Sequence, residues 1–184
     1  MADFTIAPDP ALWHQVPDVD GEARFVAERT AGLEGEAKTV ATTMAEFALA
    51  TRGATGDLTL LLQEPESSLY AVAGFALYTD RMPPASEQEA LNLVTEGNVG
   101  PWDPTVVPVE LGSLQGFRVS EFLPAAGDGG AGDDLTHLQL IQTTYVLSAG
   151  GRLGAVSLTP APSPAAGILL ALIEPVISTW EVSV

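Results

Sequence analysis

"TYVLSAGGRLGAVSLTPAPSPAAGILLALIEPVISTW", residues 144–180, carries the reading that decides the fold. No acidic residue lies between Asp134 and Glu174, in a chain with 24 acids in 184 residues. "LTHLQLIQTTYVLSA" and "RLGAVSLTP" flank Gly150 and Gly151, a pair that tolerates the left-handed backbone of a tight turn, so the spacing predicts a β-hairpin. After "PAPSP", Ile168, Leu169, Leu172, Ile173, Val176, Ile177 and Trp180 recur at helical spacing and predict a helix with one broad apolar stripe. Pro175 cannot donate to the carbonyl of Ala171, which predicts a kink or an early loosening there. The apolar run Ile168 to Ile173 is six residues long, against the roughly 20 needed to cross a bilayer. The stretch therefore reads as a packed hairpin followed by a helix returning across the sheet, rather than a membrane anchor. An apolar surface left for a partner is the competing reading.

Upstream, Val40, Met44, Phe47, Ala48 and Thr51 form a helical stripe. Phe25, Val26, Arg29 and Leu33 begin another from a cap at Asp18 or Asp20, with Gly32 and Gly35 separating two helices or marking a bend. "GDLTLLLQ" and "SLYAVAGFALYTD", joined by Glu64 to Ser67, read as two strands. Ser86 and Glu89 have capping-box spacing, and Gly97 is placed to end that helix. "PTVVPVELGSLQGFRVSEFLP" gives two strands about a turn at Gly112 to Gly116, with Pro108 indicating an edge position. "AAGDGGAGDD", residues 125–134, reads as a solvated, mobile loop. There is no internal repeat, so residues 1–184 are expected to form a single α+β domain with an antiparallel sheet of about six strands and helices packed on it.

The chain is 46% hydrophobic and 17% charged, enough apolar content to offset chain entropy. Its net charge of −17 repels a phosphate backbone, so nucleic acid and anionic membrane surfaces are not expected as partners. The same field favours a basic protein partner. There are no cysteines, which removes thiol catalysis, thiolate metal sites and disulfides. "MADFTIAPDPALWHQ" has neither a basic segment nor an apolar core of signal-peptide type, and a cytoplasmic location is expected.

Motifs that resemble chemistry sit in the wrong context. "GDGGAG", residues 127–132, spells a dinucleotide fingerprint but precedes a strand and carries Asp128, with Asp133 and Asp134 following. "GLEGEAKT", residues 32–39, departs from a phosphate loop at Ala37 and follows a helix rather than a strand. His14 and His137 lack partners at metal-ligand spacing. Asp128, Asp133 and Asp134 lack calcium-loop spacing. Ser113 has Leu111 and Gln115 where a nucleophile elbow needs glycines. Trp13, Trp102 and Trp180 read as core or rim residues. No catalytic, cofactor-binding or metal residue is therefore assigned, and no cofactor is expected.

The order of elements, closing on "YVLSAGGRLGAVSLTPAPSPAAGILLALIEPVISTWEV", resembles the Mog1/PsbP-like α/β/α fold family. That resemblance implies a non-enzymatic binding protein, and no functional residue transfers with it. The expectation is a soluble, non-catalytic interaction or adaptor protein offering an acidic face to a protein partner. The alternatives are a secretion-chaperone-like adaptor for an unfolded client, and an enzyme with a small-molecule pocket between sheet and helices. An Ala-, Gly- and Pro-rich acidic composition fits a high-GC bacterium.

Overall fold

The computed structural model describes residues 4–54, 56–96, 102–123 and 139–182. In chain order these form β1 (Phe4–Thr5), β2 (Trp13–Gln15), a 3-10 turn (Val19–Gly21), α1 (Glu22–Thr30), α2 (Gly35–Thr51), β3 (Leu58–Glu64), β4 (Leu69–Tyr78) and α3 (Glu87–Thr95). They continue with β5 (Thr105–Leu111), β6 (Leu114–Leu123), β7 (Leu140–Ala149), β8 (Arg152–Leu158), β9 (Ala161–Pro162), α4 (Ser163–Ile177) and β10 (Glu181–Val182). The main sheet is antiparallel in the order β2-β3-β4-β8-β7-β6-β5, with β9 pairing β7 beyond the end of β8. β1 and β10 form a separate two-stranded ribbon.

The closing hairpin follows its sequence. Gly150 and Gly151 hold φ of 59° and 76°, the two left-handed positions of a type I′ turn. Gly154 lets the indole of Trp180 settle on β8, since a Cβ there would lie 3.1 Å from the ring's Cη2. The main sheet has eight strands rather than about six. The added strands are β2 and β9, three and two residues long, and so short that they generate no readable alternation.

Both faces are covered, which is why Leu60, Leu61 and Leu62 are all buried in succession. On one face Leu60, Leu62, Phe75, Tyr145, Leu147 and Val156 meet Leu169, Ile173 and Ile177 of α4. On the other, Leu61 and Val72 pack under Phe25 of α1 and Ala45 and Ala48 of α2. Farther along that second face, Val119, Val146 and Leu153 pack under Ala90 of α3. This is a helix–sheet–helix layering. No helix among the described residues is long and apolar enough to span a membrane.

Several local expectations need adjusting. The α4 stripe is narrower than its sequence suggests: Leu169, Ile173, Val176 and Ile177 are buried, Leu172 is half-buried, and Ile168 is 52% exposed. Pro175 falls in the last turn, so the helix runs on only to Ile177. In α2 the buried line is Ala41, Ala45 and Ala48, while Phe47 is 43% exposed. Alanines let the helix lie close to the sheet, and the larger side chains turn to its flank. Gly21 precedes α1, and Asp18 starts the 3-10 turn without a side-chain bond. Ser86 Oγ accepts from the Glu89 N–H at 3.2 Å, but the Glu89 carboxylate accepts from the Ala85 N–H, one residue earlier than a full capping box requires. The β5–β6 turn is Gly112 and Ser113, since β6 already begins at Leu114. Pro108 does lie on an edge strand. Gly97 and the loop 125–134 fall outside the described residues.

Candidate functional site

The second face of the sheet is not covered evenly. α2 lies over β3 and β4, and α3 lies over β6, β7 and the far end of β8. Between them, parts of β4, β8 and β7 are left as the floor of a trough. Register sets that floor in rows. Gly74, Ser157 and Thr144 face one another across the three strands, and Ala76, Ala155 and Val146 form the next row. These side chains are small, so the floor is low where two helix walls stand high.

Two clefts lie along the trough, and Ser157 lines both. The larger, about 350 Å³, is walled on the α3 side by Leu93 and Val94, with Tyr78, Arg81 and Glu96 around its opening. The smaller, about 170 Å³, lies under Phe47 and Thr51 and reaches Gln142 and Pro160. The α2 stripe legible in the sequence is thus only partly core. Its outer member, Phe47, hangs over the trough.

The lining mixes polar and apolar groups. Thr144 Oγ1 and Ser157 Oγ lie 3.3 Å apart, one hydroxyl donating to the other, and the Gln142 amide donates to the Leu158 carbonyl. The titratable groups in the described lining are Tyr78, Arg81 and Glu96. The Arg81 guanidinium sits 5.3 Å from the centroid of the Tyr78 ring, a cation–π contact. The charged groups of the described lining are one of each sign, Arg81 and Glu96. No family model, curated protein or solved structure matches the chain.

The residues that drew attention in the sequence are scattered. His14 sits on β2 opposite Leu61, where burial and the nearby Arg29 guanidinium push its imidazole down to about 4. Trp13 and Trp180 are core residues at 2% and 1% exposure, and Trp102 is on the surface. "GLEGEAKT" spans the α1–α2 link and the first turn of α2, with no strand before it. Ser113 occupies the β5–β6 turn. Asp128, Asp133, Asp134, His137 and "GDGGAG" lie outside the described residues. Among the described residues no group of His, Cys, Asp or Glu is placed to hold a metal ion.

One polar cluster was not evident in the sequence. Glu174, the acid that ends the acid-free stretch, accepts from Arg118 Nη1 at 2.8 Å and from the Tyr145 hydroxyl at 3.0 Å. Arg118 and Tyr145 are cross-strand partners on β6 and β7, so register places both under one turn of α4. The cluster lies on the face opposite the trough. It ties the closing helix to the sheet rather than forming part of a pocket. Burial and the Glu174 carboxylate raise the Tyr145 phenol above its ordinary range. Only Glu174 breaking the apolar stripe at a half-buried position hinted at this arrangement.

Proposed function

We propose that the protein is a non-catalytic interaction protein of the bacterial cytoplasm that receives an apolar segment of a protein partner in the trough between α2 and α3. The observation that carries this reading is the low floor of Gly74, Ala76, Ala155, Ser157 and Thr144 beside Leu93 and Val94 of α3, with Phe47 and Thr51 of α2 lining the adjoining cleft at Ser157. Here the cleft is left open beneath Phe47, a large apolar residue that is 43% exposed. Binding rather than catalysis is supported by the lining of the larger cleft, where Ser157 is bonded to Thr144 and the titratable side chains in the described lining are Tyr78, Arg81 and Glu96. The antiparallel sheet with helices on both faces also supports kinship with the Mog1/PsbP-like fold, whose members the resemblance describes as mostly binding proteins.

The test is to fill the trough. Ala155 lies on its floor and is only half-buried, so Ala155→Trp has room to project into the cleft without entering the core. Partner recovery from the native host should fall at least tenfold in this variant, with circular dichroism and melting temperature close to wild type. Undiminished recovery of the same partner by the folded variant would overturn the proposal.

A further inference from the structure

We infer that the cleft between the N-terminal segment and α4 binds a small organic amine, its ammonium group carried on an apolar body. The site lies across the sheet from the trough and is independent of the interaction reading above. The segment between β1 and β2 runs beside the second half of α4 as a strap held at both ends. β1 pairs with β10 just before it, and the Ala7 N–H donates to Thr179 Oγ1 at 2.8 Å. At its far end Trp13 is buried, and its indole Nε1 donates to the Leu172 carbonyl at 3.3 Å. Between these ties a cleft of about 410 Å³ opens, with Leu12, Leu172, Pro175 and Val176 as apolar walls, a size suited to a small molecule.

Hydrogen bonding within the strap decides what the cleft can recognise. Both side-chain donors of the described lining are engaged: the Trp13 indole by Leu172, and the Thr179 hydroxyl by the Val176 carbonyl at 2.7 Å. Backbone donors are few. Pro8 and Pro175 have no N–H, the Ala7 N–H is taken by Thr179, and those of Leu12 and Trp13 donate to the Asp9 carbonyl. Acceptors are left. Asp9 Oδ1 takes the Ala11 N–H at 2.9 Å, a bond that orients the carboxylate and leaves it lone pairs for a ligand. Pro175 cannot donate to the Ala171 carbonyl. That carbonyl points along the helix toward Pro175, and both residues line the cleft.

Charge points the same way. Asp9 is the one charged side chain in the described lining, and none of the seven Lys and Arg residues lies there. In a chain of net charge −17 the surrounding field draws cations and repels anions. An ammonium group brings three donors and no acceptor, the complement of this lining, while its carbon chain covers Leu12, Leu172 and Pro175. A free amine fits better than a lysine of a protein partner, because the peptide carbonyls flanking a lysine would meet donors that are already engaged.

The probes are hexylamine, 1-hexanol and hexanoate, which share an apolar chain, and Nα-acetyl-lysine methylamide. Each is titrated into the full chain and followed by amide chemical shifts. Hexylamine should shift the amides of Ala7, Asp9, Ala171 and Leu172 to saturation and bind at least tenfold more tightly than hexanol or hexanoate. Asp9→Asn keeps an oxygen for the Ala11 N–H and removes the charge; it should weaken hexylamine at least tenfold with the melting temperature close to wild type. Pro175→Ala restores an N–H for the Ala171 carbonyl and should weaken hexylamine at least threefold. The lysine derivative should bind at least threefold more weakly than hexylamine, and tighter binding by it would refute the free amine in favour of a protein side chain. Undiminished hexylamine binding in either variant, or shifts spread over other acidic surfaces, would refute the site itself.

Discussion

Replacing Glu174 by Ala tests whether the closing helix is pinned to the sheet by chemistry as well as by apolar burial. Its Oε1 receives the Tyr145 hydroxyl at 3.0 Å and Arg118 Nη1 at 2.8 Å. Tyr145 is fully buried, so deletion leaves a phenol hydroxyl without its acceptor, costing about 1–3 kcal/mol. The Arg118 and Glu174 side chains are 24% and 31% exposed, enough burial for the unpaired guanidinium to add about another 1 kcal/mol. The expected loss is therefore about 2–4 kcal/mol, read as a lower urea midpoint with an unchanged slope. Tyr145→Phe alone should cost about 1 kcal/mol, and the double variant should cost less than the two losses together, with a coupling of about 1–2 kcal/mol. The alkaline limb offers a second reading. Because the folded phenol titrates above its unfolded value, the unfolded chain loses its proton first, and stability falls as pH rises above about 10. Tyr145→Phe should flatten that fall. A Glu174→Ala loss below about 0.5 kcal/mol, or additive single and double variants, would refute the pin and reduce the cluster to a surface ion pair.

Within α4, Ile173→Ala should cost about 2–5 kcal/mol because the side chain is 0% exposed. Leu172→Ala should cost clearly less, since Leu172 is half-buried beside a cleft under the N-terminal segment; equal losses in thermal unfolding would contradict this assignment of faces. His14 supplies an acid-side dependence. Its folded imidazole titrates at about 4 against about 6.5 when unfolded, so the unfolded chain binds more protons in that interval. Its contribution is complete above pH 6.5 and is lost as pH falls toward 4. Discounted for partial exposure, the loss is roughly 1–2 kcal/mol, and His14→Gln should remove that part of the acid slope in urea titrations at successive pH values.

The elements legible in the sequence are those whose local chemistry and burial agree. Gly150 and Gly151 supply both left-handed positions of their turn, so the closing hairpin needed no tertiary information. Ser86 caps α3 through the Glu89 N–H, a bond formed within one turn. The six long strands alternate or run apolar for at least seven residues, enough to display a period. β2 and β9 do not, because two or three residues have no period and are strands only through the neighbours that pair with them.

The trough and the Glu174 cluster belong to tertiary structure for the same physical reason. The α2 stripe is readable, yet the sequence cannot say which side of it meets the sheet. Alanine at 41, 45 and 48 packs closest, and that choice sends Phe47 to the flank. Gly74, Ser157 and Thr144 lie far apart along the chain and become one surface only through cross-strand register. Arg118, Tyr145 and Glu174 likewise meet only when β6, β7 and α4 are assembled. Periodicity records how a segment divides its faces, so the chain by itself determined the long strands, the helices and the strong negative charge. Which faces meet, and which stay open, depends on the shapes of partners distant in sequence, and only packing decides that.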